Sequence, residues 1–109
     1  MSVEEEMNAL HRYELQDRYL NLTRVELPAE ARKQGWTLVE DHCFMQVILD
    51  RLFGDSWYNH LDRRLTAYKQ LNEEQLRECI TMAERLLAGD FETLMASNRD
   101  SLRWRGKLK

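Results

Sequence analysis

Asp41-His42-Cys43-Phe44-Met45-Gln46-Val47-Ile48-Leu49-Asp50-Arg51-Leu52-Phe53-Gly54 is the stretch whose reading decides the fold. Seven of the ten residues from Phe44 to Phe53 are apolar. On a helix, that many cover more than one face, and a helix apolar most of the way round is normally enclosed by other helices. Asp41 is a residue type that caps a helix start, and Gly54 is the residue type that ends one. Residues 41–53 are therefore expected to form a central helix.

Toward the N-terminus, Ser2 with Glu5 three residues on is a capping-box pattern. Met7, Leu10 and Tyr13 follow at helical spacing, which predicts a first helix from about Val3 to Leu20 with a narrow apolar stripe. Pro28 at a first-turn position, good helix formers from Ala29 to Gln34 and a stop at Gly35 predict a second, short helix. Trp36 is expected to fold back onto the core. Toward the C-terminus, Asp55 or Ser56 should start a short aromatic helix with Trp57, Tyr58 and Leu61, while Thr66-Ala67-Tyr68 carries no readable pattern. Asn72 and Gln75 form a second capping box, and Leu76, Cys79, Ile80, Ala83, Leu86 and Leu87 make an amphipathic stripe closed by Gly89. Asp90 should open a last helix with Phe91, Leu94, Met95 and Leu102 on one side, fraying near Gly106. No segment alternates apolar and polar residues in the manner of a strand. The expectation is an all-α fold, one domain over residues 1–109, with about five helices around the central one and a basic, frayed tail at 104–109.

At 109 residues and 13.1 kDa the chain has the size of one domain. Folding a chain of that size buries roughly two thirds of its extended surface, enough for a core without cross-links. Hydrophobic residues at 43%, charged residues at 32% and a single proline exclude disordered and fibrous classes. No apolar run approaches the ~18 residues of a membrane span, and Met1-Ser2-Val3-Glu4-Glu5-Glu6 is acidic where a secretory signal is basic and then apolar. The expected location is the cytoplasm. Cys43 and Cys79 each sit in an apolar helical pattern, which suits reduced core thiols rather than a disulfide framework.

The net charge of −3 hides a polarity along the chain. Residues 1–30 carry seven acids against three bases, whereas 96–109 carry five bases, Arg99, Arg103, Arg105, Lys107 and Lys109, against Asp100. Either the two ends neutralise each other or the tail engages an anion. Leu102 and Trp104, interleaved with those bases, would anchor such a segment through its apolar side and leave it basic outside.

No catalytic or cofactor motif rises above background. His42 beside Cys43 suggests a thiol and its base, but neighbours on a helix point about 100° apart, so a dyad would need a distant partner such as His60. Asp50 lies in the most apolar helix and should either point outward or meet an arginine, with Arg63, Arg64 and Arg103 as candidates. No Cys-x-x-Cys is present, and the one His-x-x-Glu, His11 to Glu14, reverses the order found in di-iron bundles. Neither a metal nor a cofactor is expected. Trp57, Tyr58 and Tyr68 near Arg63, Arg64 and Lys69 could stack bases, yet the acidic balance disfavours nucleic acid.

Asp41-His42-Cys43-Phe44-Met45 with Asp50, Trp57, Ala67-Tyr68-Lys69 and Ser101-Leu102-Arg103-Trp104-Arg105-Gly106-Lys107 resembles a set of small uncharacterised microbial helical proteins over about residues 38–107. Some members of such sets carry an acetyltransferase label. That chemistry cradles a pyrophosphate on a glycine-rich loop between strand and helix, whereas Gly35, Gly54, Gly89 and Gly106 are all isolated. The resemblance implies a shared fold and no established activity.

Two function classes follow. One is a binding or adaptor module that meets a protein or anionic partner through Arg99, Arg103, Trp104, Arg105 and Lys107, with self-association left open. The other is a small enzyme or accessory unit built around His42, Asp50, His60 and Cys43 in a pocket between helices. Convergence of those four on one concave site would favour the enzyme; dispersal or internal pairing would favour binding.

Overall fold

The computed structural model describes residues 3–36 and 41–90 together with 96, 99, 100, 103 and 104, and the side chains of 11–36, 44–90 and those five positions. It is all-α, with no strand among the described residues. Helix α1 spans Val3–Asn21, α2 Leu27–Gln34, α3 Asp41–Phe53 and α4 Glu73–Leu87. Residues 96, 99, 100, 103 and 104 are also helical; the rest of the predicted last helix, with Phe91, Leu94, Met95 and Leu102, lies outside the described residues.

The expected gap between the first two helices is absent. A π turn, Leu22–Glu26, joins α1 directly to α2, with the Leu27 N–H donating to the Leu22 carbonyl five residues back. Two local causes coincide there. Pro28 has no N–H to give to the preceding turn, and the Thr23 hydroxyl donates to the Tyr19 carbonyl at 2.9 Å, competing inside the helical ladder. Glu26 braces the outside by accepting from Arg18 Nη1 at 2.6 Å and Asn21 Nδ2 at 2.7 Å. Gly35 then ends α2 with φ 72°, a left-handed conformation that favours glycine, and Trp36 packs against the core as expected.

Phe44, Val47, Ile48, Leu49 and Asp50 of α3 are all buried, so the apolar stretch is enclosed as its composition requires. Helix α4 shares the centre, packing on α1, α2, α3 and the π turn. Its capping box is complete: Gln75 N–H donates to Asn72 Oδ1 at 2.8 Å and Asn72 N–H to Gln75 Oε1 at 2.9 Å. Leu76, Cys79, Ile80, Ala83 and Leu86 are buried at the predicted stripe. One reading of α1 needs correction: Tyr13, read as part of its apolar stripe, is 64% exposed, and the buried face runs instead through Gln16, Tyr19, Leu22 and Thr23. The predicted aromatic helix is also shorter than expected, a 3-10 turn at Trp57–Asn59, and a second such turn at Ala67–Gln70 occupies the unreadable connection.

Candidate functional site

Asp50 is completely buried. Its Oδ1 accepts from the Trp57 backbone N–H at 2.8 Å, giving the start of the 3-10 turn a side-chain acceptor and fixing the chain reversal after α3. Of the arginines considered for it, Arg64 donates to both carboxylate oxygens of Asp62, at 3.1 and 3.0 Å, and the Arg63 guanidinium lies 4.5 Å from the Tyr58 ring centre. His60 is on the surface, stacked on Phe53 at 4.8 Å with its Nε2 3.3 Å from Asp55 Oδ2. Asp55 is held below the usual carboxylate range, first by the Asn59 side chain, then by the Ser56 backbone N–H and by His60. Cys79 is a buried free thiol that burial, aided by nearby Glu78, pushes up to about 12, so it is protonated and inert at neutral pH. The side chains of His42 and Cys43 lie outside the described residues. Asp50 and His60 thus stand at the two ends of the same 3-10 turn with different side-chain partners, and neither lines any of the three described cavities.

In the C-terminal segment, Arg99 and Arg103 are exposed and one helical turn apart, Trp104 is half-buried, and Asp100 ties the segment to α3 by accepting from Arg51 Nη1 at 2.9 Å. Arg105 and Lys107 lie outside the described residues. Among the described residues no three His, Cys, Asp or Glu side chains come together as metal ligands, and no helix is long and apolar enough to cross a membrane.

The most distinctive constellation is one the sequence did not announce. A cleft of about 280 Å³ between α1 and the Ala67–Gln70 turn is lined by Arg12, Tyr13, Gln16 and Lys69. The turn is built to hold Lys69 there. Gln70 clasps Asp62, accepting from its N–H and donating to its carbonyl, both at 2.8 Å, and Leu71 plugs into the core with no exposed surface. Arg12 Nη2 donates to the Lys69 carbonyl at 2.7 Å across 57 residues of sequence, locking turn to helix.

The cleft's electrostatics are one-sided. Arg12 and Lys69 have no carboxylate within ion-pair distance among the described residues, and Arg12 Nε is buried without a hydrogen-bond partner. Gln16, only 8% exposed, makes no side-chain hydrogen bond with the described residues. Glu14 and Asp17, the acids of α1 nearest in sequence, do not line the cleft. Of these groups, Arg12 Nε is the buried donor left without a partner, and such a donor is costly to keep unless something else satisfies it; Lys69 is exposed.

Two other cavities frame the comparison. A groove of about 460 Å³ along α4 is lined by Arg51, Arg77 and Arg85 with Glu74, Glu78 and Met82 among its other residues. A small cavity of about 110 Å³ lies between Tyr19, Arg24, Leu49 and Tyr68. Burial pushes the Tyr19 hydroxyl far above its ordinary range, so it is no acid or base at neutral pH. The chain matches no protein-family model, no curated protein and no solved structure.

Proposed function

We propose that this chain is a small all-α binding protein that takes an anionic ligand in the cleft between α1 and the Ala67–Gln70 turn. The observation that carries the reading is the pair of cations, Arg12 and Lys69, beside a Gln16 side chain that makes no hydrogen bond with the described residues, in a cleft that no acid among the described residues lines. Such a site offers charge-assisted hydrogen bonds to an anion that displaces only water. An enzyme centred on His42, Asp50, His60 and Cys43 has less support, because the Asp50 carboxylate accepts from the Trp57 N–H while the His60 ring meets Asp55, so each is engaged by a different local partner. The resemblance to small microbial helical proteins adds no activity. A cytoplasmic location is supported by the free thiol at Cys79.

Calorimetric titration with inorganic phosphate at constant ionic strength tests the proposal. Saturable binding is expected, with at least about a tenfold weaker affinity in Lys69→Glu, corresponding to roughly 1.4 kcal/mol. Absence of saturable binding to the native chain, or equal binding by Lys69→Glu, overturns it.

A second reading has its own support. Arg99 and Arg103 are exposed and helical beside Asp100, which is bound to Arg51, so these two bases are presented from an anchored support. That arrangement suits docking of an acidic protein through Arg99, Arg103, Trp104, Arg105 and Lys107. Arg103→Glu combined with Arg105→Glu should abolish such association while sparing the fold; association that survives, or that ignores salt, rejects the surface.

A further inference from the structure

Resting on the anion-binding reading of the Arg12 cleft, we propose that its ligand is a free phosphate monoester carried on a single planar ring. Charge selects the head group. Two cations and an amide face one space, and a phosphate monoester brings nearly two negative charges and three acceptor oxygens at neutral pH, where a carboxylate brings one charge and two oxygens. The third donor type matters as much as the charge: Gln16 is 92% buried by its 8% exposure and still has an amide to give, so a third oxygen has a partner waiting. Arg12 keeps further N–H groups after its one bond to the Lys69 carbonyl, and that bond fixes the cleft's width before any ligand arrives.

The wall selects the rest of the molecule. Tyr13 lines the cleft with 64% of its surface exposed, an amphipathic ring offered to solvent. A flat ligand ring stacking there would cover apolar surface in the offset geometry aromatic pairs favour. Size limits the ring count: at about 280 Å³ the cleft falls at the lower edge of the roughly 300–1,000 Å³ typical of ligand pockets, which admits one ring with its phosphate.

The experiment titrates the full chain with phenyl phosphate, inorganic phosphate and benzoate at constant ionic strength. Phenyl phosphate is expected to bind about tenfold more tightly than inorganic phosphate, as a ring-stacking contribution of about 1–1.5 kcal/mol would give, and benzoate should bind more weakly than either. Tyr13→Ala should erase the advantage of phenyl phosphate, bringing the ratio of its affinity to that of inorganic phosphate to about one. Because Tyr13 is exposed, this variant should keep the native melting temperature, so loss of binding and loss of fold are separable. Benzoate binding as well as phenyl phosphate, or a phenyl phosphate advantage that persists in Tyr13→Ala, overturns the proposal while leaving anion binding intact. A phosphotyrosyl peptide that binds more tightly than phenyl phosphate overturns the free-ligand part of it. If none of the three anions saturates the chain, the underlying anion-binding reading fails as well.

Discussion

The Arg12 cleft and the α4 groove both gather cations around a concavity, yet they differ in what already sits beside those cations. In the groove, Arg77 donates to Glu73 at 2.7 Å and to His11 Nε2 at 2.6 Å, and Arg51 is bound to Asp100. Glu74 and Glu78 line the same space. An anion entering there must compete with carboxylates that are part of the fold. In the cleft, Arg12 spends one N–H on a backbone carbonyl and Lys69 spends nothing, so no acid among the described residues has to be displaced. The larger cavity is therefore expected to be the poorer anion site. A count of basic residues does not separate the two spaces; what separates them is that carboxylates line the groove, whereas no acid among the described residues lines the cleft.

The largest expected effects lie in the core beneath both regions. Leu76, fully buried on α4, should cost about 2–5 kcal/mol when replaced by Ala, measured by urea denaturation. That value sets what global loss looks like, against which a local change at either site can be judged. A shift below about 1 kcal/mol would mean that α4 is not the shared floor. Cys79 lies in the same core and gives it a pH signature. Its thiol ionises near 9.0 when unfolded and near 12 when folded. Between those values the unfolded chain has released a proton that the folded chain retains, so its stabilising contribution is complete below pH 9 and declines as pH rises toward 12. Denaturation midpoints on either side of pH 9 should show this decline in the native chain and a shallower one in Cys79→Ala. Identical slopes would count against an alkaline limit set by this thiol.

The next effect separates the two regions directly. Lys69→Glu and Arg85→Glu make the same charge change, one in the cleft and one in the groove. The first should weaken phosphate binding at least about tenfold, and the second less than about twofold, as expected of a screened charge outside the site. Both should leave stability within about 0.5 kcal/mol, the range of ordinary surface substitutions. Equal losses would break the comparison, since binding would then follow net charge and not the partnering of particular cations.

Much of the frame was legible because its signals are local. The Asn72–Gln75 capping box, the Leu76 to Leu86 stripe and the stops at Gly35, Gly54 and Gly89 each depend on residues within a few positions of one another. The π turn was not legible, since Pro28 and Thr23 each allow an ordinary helix break and only their combination with packing on α3 and α4 keeps the helix running. For Asp50 the need for a buried donor was readable, while the Trp57 backbone N–H that meets it appears in no inventory of side chains. The cleft joins residues 57 apart through a turn of no recognisable pattern, so its assembly was hidden. One clue was present: Arg12, Gln16, Tyr19 and Thr23 share a helical stripe, and two polar side chains on an inward-facing stripe ask for an explanation. Reading Tyr13 as the core residue instead moved the buried face of α1 off that stripe.

The smallest expected effect is the one that tests whether the groove's cations are truly occupied. Arg77 and Glu73 are four residues apart on α4, about half and two fifths exposed, so their pairing is screened by water and should couple by only about 0.3–0.5 kcal/mol in a double-mutant cycle with Arg77→Ala and Glu73→Ala. His11 complicates the pair in a useful way. An arginine N–H can only donate, so His11 Nε2 must be its acceptor, and the ring links α1 to α4 through the same guanidinium. Arg77→Ala should therefore lose slightly more stability than the Glu73 coupling alone accounts for, and His11→Ala should remove that excess. Neither variant should change phosphate affinity. If Glu73→Ala instead creates new phosphate binding at the groove, the carboxylate was what kept that site closed, and the contrast with the cleft becomes one of occupancy that a single substitution reverses. If coupling is absent and phosphate binding does not appear, the pairing with Glu73 is not what keeps an anion out of the groove, and partnering alone would not account for a preference for the cleft.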